Sequence, residues 1–293
     1  RDIEWTLLSE VANFAFFIFL NTVINRIYWQ TGNMILGILT NTAVVAVYSI
    51  GSYVSMLYLS FSTAISDVLL PYTVYQVERN ASGAHLTDLM IRTGRIQMIV
   101  LGLILTGFAS FGQEFILLWV GPNYKEAYWV ALIVMLPLSI PLVQNVGISI
   151  LQAKNKHRFR ALAYLAVAIL TIPITILLVR AIGMVGAAIS TAAGLIVGNI
   201  IVINIYYHRA IGLEIPRFFR EVCHGIVPML LVMVLIGVGL DHLWAETSWV
   251  GLLAKIAAFA FIYVVAMWFH GMNLYEKGLL KAGRAYVAIQ QEQ

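Results

Sequence analysis

The sequence predicts an all-α fold, a polytopic transmembrane helix bundle of about eight spans. Three observations carry this. The chain is 61% hydrophobic and 11% charged over 293 residues, with mean hydropathy +0.87, whereas soluble domains carry about 25% charge. Its apolar runs reach about 20 residues, the length that crosses a hydrocarbon core of roughly 30 Å. The runs are continuous rather than alternating, so their backbone groups must bond internally as helices and not as barrel strands.

Taken in order, the spans are expected at about residues 9–30, 44–72, 95–113, 127–152, 160–180, 184–207, 225–241 and 249–270. Asn21 and Asn25 fall in the first span, with Asn33 just beyond it, and the second ends near Pro71. The stretch "FILLWVGPNYKEAYWV" separates spans three and four. Gly121 and Pro122 break the helix there, and Trp119, Tyr124, Tyr128 and Trp129 sit where amphipathic rings prefer the headgroup layer. Span four contains Pro137 and Pro141 and span five Pro173, each of which removes a helix hydrogen bond and tends to kink the helix. Such kinks suit a transporter that rocks between states and also occur in static bundles. Span six sets Gly186, Ser190, Gly194 and Gly198 four apart, a small-residue stripe expected to serve close helix packing rather than a hinge.

Two mixed segments, "RAIGLEIPRFFREVCHG" and "NLYEKGLLKAGRAYVAI", are expected as helices lying on a membrane surface; the second carries Tyr275, Leu279, Ala282, Tyr286 and Ile289 at helical spacing. Orientation follows from the basic residues. Arg1, Arg79, Arg92, Arg95, Lys154, Lys156, Arg158, Arg160, Arg209, Arg217, Arg220, Lys277, Lys281 and Arg284 fall on one side, against Lys125, Arg180 and Arg26 on the other. The positive-inside rule then makes both termini cytoplasmic. Arg1 stands where an initiator Met is expected and no signal peptide follows it, so a preceding segment is expected.

Ionisable and amide groups inside spans are the candidate site, since each charge costs roughly 3 kcal/mol at mid-bilayer unless it meets water or a partner. Arg26 is the first candidate. A planar guanidinium matches phosphate oxygens bidentately, and Asn21, Asn25 and Asn33 recur at four- and eight-residue steps beside it. The alternative is an arginine snorkelling to the headgroups. Asp67, one turn before Pro71, is a candidate carrier of a coupling proton or cation, or else a partner for freed backbone or a loop arginine. Gln144 and Asn145 are candidate sugar or cation contacts, with helix–helix hydrogen bonding as the alternative. Lys255 is expected to snorkel to the outer interface, and Glu10 and His270 to be interfacial.

The absences point the same way. Cys223 is the single cysteine, so no internal disulfide forms and cysteine supplies no metal cluster. No Walker loop, His/Cys metal spacing or nucleophile elbow is present. ATP hydrolysis and glycosyl transfer by this chain are therefore not expected: it reads as a non-enzyme without metal or cofactor, H+ or Na+ being the candidate coupling ion. Net charge +4 comes mainly from the loops and reflects topology and anionic lipid, so no nucleic-acid partner is expected.

In order along the chain, "NMILGILTNTAVVAVYSIG", "DVLLPYTVYQVER", "FILLWVGPNYKEAYWVALIVM", "SILQAKNKHRFRALAYLAVAILTIPITILLV" and "GMVGAAISTAAG" resemble the second half of the polysaccharide-export, O-antigen (Wzx-type) flippases of the multidrug/oligosaccharidyl-lipid/polysaccharide (MOP) superfamily. The resemblance covers about residues 5–210. It implies a six-helix flippase C-terminal lobe over 1–210, a cytoplasmic amphipathic linker over 211–224, two additional transmembrane helices over 225–272 and a cytoplasmic amphipathic tail over 273–293. It further implies a bacterial inner membrane location, an N-terminal lobe that this chain lacks, and an undecaprenyl-pyrophosphate-linked oligosaccharide flipped outward by alternating access in the lipopolysaccharide pathway. Arg26 would meet the pyrophosphate. Asn33 stands where family members often carry Asp, which weakens a cation role there. The other readings are a lipid II or multidrug exporter of the same superfamily, a membrane-embedded polysaccharide polymerase or ligase, and a scaffold subunit.

Overall fold

A computed structural model describes residues 15, 16, 19, 22, 26, 29–79, 81–154, 156–244 and 247–278; within these, the side chains at 67–70 and 157 are left aside. All regular structure among the described residues is helical. The predicted class, a polytopic helical bundle, is the one found. Five described helices are long and apolar enough to cross a membrane, six when a bent pair counts as one span.

The first helix, α1, is described as a continuous run over residues 29–39, so it outlasts the expected span end near 30. The Oδ1 of Asn41 caps α2 (Thr42–Glu78) by accepting from the Val44 amide at 3.0 Å, as an Asn N-cap does. Its apolar part is Thr42–Ser66, and the helix continues through Pro71. Next come α3 (Gly83–Val120), capped by Ser82, then α4 (Ala127–Val143) and α5 (Asn145–Ala153). Helix α3 overruns the span expected at 95–113 at both ends, because Arg92 and Arg95 at one end of that span and Gln113 and Glu114 at the other mark a change of polarity and do not end a helix. Between α3 and α4 the break expected at Gly121 is present: its φ of +97° lies where glycine is favoured, and Pro122–Tyr124 form one short 3₁₀ turn.

Helices α4 and α5 meet at 46°, just after the two prolines predicted to disturb this span. Packing against α2 runs along one stripe. A Cβ on Gly51 would lie 2.7 Å from the Ala127 carbonyl, Tyr58 shares a 2.8 Å hydrogen bond with Ser139, and Ser62 donates to the Leu142 carbonyl at 2.9 Å. Residues 51, 55, 58 and 62 share a helix face, and small or hydroxyl residues there allow close approach in a membrane bundle.

Helix α6 (His157–Leu195) runs on through a wide turn at Ile196–Val202, α7 (Ile203–Tyr206) and a second wide turn at Tyr207–Ile211. A straight rod over Arg158–Ile211, 54 residues, would be about 80 Å long, far more than a bilayer. Ile182 and Gly183 leave helical geometry, Gly183 at φ +64°, and the chain reverses there. Thr175 and Ser190 then share a 2.7 Å hydrogen bond and Ser190 reaches the Thr171 carbonyl at 3.4 Å, so this rod is a hairpin that supplies predicted spans five and six. The small-residue stripe packs the two limbs. A Cβ on Gly186 would lie 2.2 Å from the Leu178 carbonyl oxygen, while one on Gly239 would meet open space. Gly186→Ala is expected to lower stability by about 1–3 kcal/mol through overpacking, read as a lower unfolding midpoint in detergent, with Gly239→Ala leaving the midpoint level or raised.

Helix α8 (Ile215–Cys223) is amphipathic, as predicted, but its apolar side turns inward rather than into lipid. Ile215, Phe218 and Val222 are buried in the main core, and a Cβ on Gly94 of α3 would lie 3.0 Å from the Phe218 ring. On its polar side Arg217 bonds Asp88 at 2.7 Å, Glu221 at 2.7 Å and Glu214 at 3.1 Å. Hydrogen bonds to Glu221 and then Glu214 hold the Arg217 guanidinium above its usual pKa; exposed pairs of this kind add little stability. Of the predicted surface helix in the tail, Tyr275 is described, half exposed with Arg92 4.9 Å from its ring centre; Leu279 and the later positions lie outside the described residues.

The last two spans, α9 (Ile226–Leu243) and α10 (Trp249–Ala266), pack on α3 around a second core of Phe111, Leu230, Met233, Phe259 and Tyr263. Here one sequence expectation is overturned. Lys255 does not snorkel: it is 3% exposed and bonds Glu114 of α3 at 2.7 Å and Asp241 of α9 at 3.0 Å. The partners lie 141 and 14 residues away in sequence, which is why no local pattern reveals them. Arg95, counted above among the cations of one membrane side and placed at the start of the third span, is buried too. It bonds the Glu276 carboxylate through Nε and Nη2, and donates to the carbonyls of Glu221 at 2.7 Å, His224 at 3.2 Å and Gly271 at 2.8 Å.

Candidate functional site

The bend between α4 and α5 and the paired limbs of α6 leave space between them. A cavity of about 100 Å³ lies there, lined by Trp29 of α1, Leu59 of α2, Pro141 and Asn145 at the bend, Arg160 and Tyr164 of the first α6 limb, and Gly194, Gly198 and Asn199 of the second. Three local features make it. Prolines in α4 weaken the helix before the break and leave Asn145 on the first turn of α5, the positive end of that helix's dipole. Gly194 and Gly198 supply no side chain to fill the space. The wide turn at Ile196–Val202 carries Asn199; single turns of this kind recur where a helix is adapted to a function.

The polar groups are arranged as donors. Arg160 holds its guanidinium 4.7 Å from the centre of the Tyr164 ring, an i,i+4 cation–π pair. Its Nε is buried and has no hydrogen-bond partner among the described residues. The Tyr164 hydroxyl donates to Asn199 Oδ1, which leaves the Asn199 amide nitrogen as a donor. Asn145 Nδ2 donates to Ser62 Oγ at 2.9 Å. Among the described lining residues Arg160 is the charged group and none is a carboxylate, a balance that favours anions over cations. Its size sets a limit: about three waters fit, at roughly 30 Å³ each, and a sugar headgroup does not.

Each residue singled out in the sequence has a definite place. Asn145 lines the cavity. Gln144, next to it, does not: its buried amide is committed to Asn204 Oδ1 at 2.7 Å, the helix–helix alternative named for it. Asn33 is half-buried, accepts from Ser49 at 2.9 Å and donates to Gln30 at 3.4 Å, away from the cavity lining. Arg26 is exposed on its helix and likewise absent from the lining. Asn21 and Asn25 lie outside the described residues, as does the side chain of Asp67. Sequence reasoning missed Arg160, Tyr164 and Asn199. Arg160 is one of four cations within seven residues and was absorbed into the cytoplasmic cluster; the overlooked signal was an aromatic four residues after it and an Asn in the middle of an apolar span.

The architecture defines a polytopic helical membrane protein with a small cationic pocket inside its bundle. Residues 2–129 match the family model described as polysaccharide biosynthesis protein. No curated protein and no solved structure gave a significant match.

Proposed function

We propose that the chain is part of a lipid-linked oligosaccharide flippase, a transporter rather than an enzyme, which moves undecaprenyl-pyrophosphate-linked polysaccharide repeat units from the cytoplasmic to the outer leaflet of the bacterial inner membrane. The observation that carries this is the polysaccharide-biosynthesis match over 2–129 on a chain whose mass lies in apolar helices. The physical task fits such a body. A charged, hydrated headgroup cannot enter hydrocarbon unaided, whereas a polar chamber removes most of that barrier and the polyprenyl tail stays in lipid. The pocket at Arg160, about 100 Å³, is too small to hold the whole headgroup, and in this reading the substrate chamber is a different space. In this reading it lies between this bundle and the N-terminal lobe expected to precede it, with exposed Arg26 offered to the pyrophosphate and rocking of the two lobes switching access.

Proteoliposomes holding the complete protein and a fluorescent undecaprenyl-pyrophosphate sugar test the activity: label moves between leaflets if the reading is right and stays put if the protein is a polymerase, ligase or scaffold. In cells, Arg26→Ala is expected to abolish polysaccharide export at unchanged protein level; normal export in that variant removes Arg26 from the substrate path.

A further inference from the structure

We infer that the pocket at Arg160 is a binding site for one compact anion, an oxyanion no larger than a single phosphate, held inside the bundle and separate from the substrate chamber. What carries this is unbalanced charge in a partly open pocket. A guanidinium lines a cavity walled by Trp29, Leu138 and Val167, with no carboxylate among the described lining residues, and its Nε donor is buried without a partner among the described residues. A buried charge is retained when something balances it. The neighbours include further donors, the amide nitrogen of Asn199, freed because Tyr164 occupies its oxygen, and the positive end of α5 at Asn145; the Tyr164 hydroxyl that also meets the guanidinium is neutral and does not balance its charge. Donors of three kinds converging on a space with no acceptor charge describe an anion site, and the planar fork of arginine matches the oxygens of phosphate or carboxylate. The volume of about 100 Å³ excludes a pyrophosphate carrying a sugar.

The same chemistry has two sources, a free ion and the phosphate of a lipid headgroup. The test uses the purified full chain and reads its unfolding midpoint. In neutral detergent, inorganic phosphate is titrated against gluconate at equal ionic strength; in a second arm, phosphatidylcholine nanodiscs are prepared with and without phosphatidic acid. A midpoint that rises with phosphate identifies a free ion, and one that rises only with phosphatidic acid identifies a headgroup. Arg160→Gln is expected to weaken the apparent affinity about tenfold to a hundredfold, the loss of hydrogen bonds to a charged group. Asn199→Asp guards against a variant that fails to fold. It places a carboxylate beside the arginine, so it is expected to raise the midpoint without added anion and to remove the response to anion. No rise in the native protein in either arm, or an undiminished response in Asn199→Asp, overturns the inference. Neither arm depends on transport, so a protein that binds phosphate and flips nothing would retain this site and lose the flippase reading.

Discussion

Lys255→Met is expected to lower the stability of the protein by about 3–5 kcal/mol, the loss found when one partner of a buried ion pair is removed. Lys255 is 3% exposed and Glu114 10%. Without the ammonium, the Glu114 carboxylate is left among apolar side chains of α3, α9 and α10, and its Oε1 already has no partner among the described residues. Asp241, 41% exposed, reaches water and is expected to matter less: Asp241→Asn should cost about 1 kcal/mol or less. Heat or denaturant unfolding in detergent measures all of these. The decisive control is Lys255→Met combined with Glu114→Gln and Asp241→Asn. With no charge left to strand, most of the lost stability is expected to return, because a buried ion pair and a neutral set of similar volume are often nearly equal. A Lys255→Met variant as stable as the native protein would mean that Lys255 and Glu114 do not meet.

The second large effect is expected at Arg95. Its five donors hold three carbonyls, at Glu221, His224 and Gly271, together with the carboxylate of Glu276. Arg95→Ala leaves that carboxylate, 4% exposed, without a counter-charge and with the Asn273 amide as its remaining donor among the described residues, and frees the three carbonyls, a loss of about 3–5 kcal/mol. The bonds run from α3 to the end of α8, the start of α9 and the turn after α10, so the loss is expected as local opening more than global unfolding. Limited proteolysis reads it directly: cleavage near residues 224 and 273 should accelerate while the core of α2 and α4 stays protected. Arg95→Lys is expected to recover only part, since an ammonium has three donors on one point and cannot span four acceptors in a plane. Equal protease resistance in native protein and Arg95→Ala would show that the hub does not hold this end of the bundle.

These two hubs show why charges were harder to read than helices. The turn at Gly121, the disturbance in α4 and the close packing at Gly186 all follow from local chemistry: a backbone that needs φ above zero, a ring without an amide hydrogen, a missing side chain. The expectation for Lys255 failed because a cation near a span end looks the same whether it snorkels or turns inward, and the partners of Arg95 were hidden for the same reason. Glu276 is 181 residues from Arg95, and only the fold puts it within reach. Helix α8 taught the same lesson for apolar faces, since amphipathicity states that one side seeks a nonpolar neighbour and not whether that neighbour is lipid or protein.

The sequence by itself determined a helical membrane bundle and most of its breaks, because the length of an apolar run and the placement of Gly and Pro act on the chain locally, whatever surrounds it. It also determined Asn145 as a polar position worth following. Only the tertiary structure decided that Arg160, Tyr164, Asn145 and Asn199 share one pocket while Gln144 spends its amide on Asn204. The physical reason is that a site is made by what converges on a volume, and convergence depends on how helices bend and pair over distances that neither hydropathy nor spacing encodes.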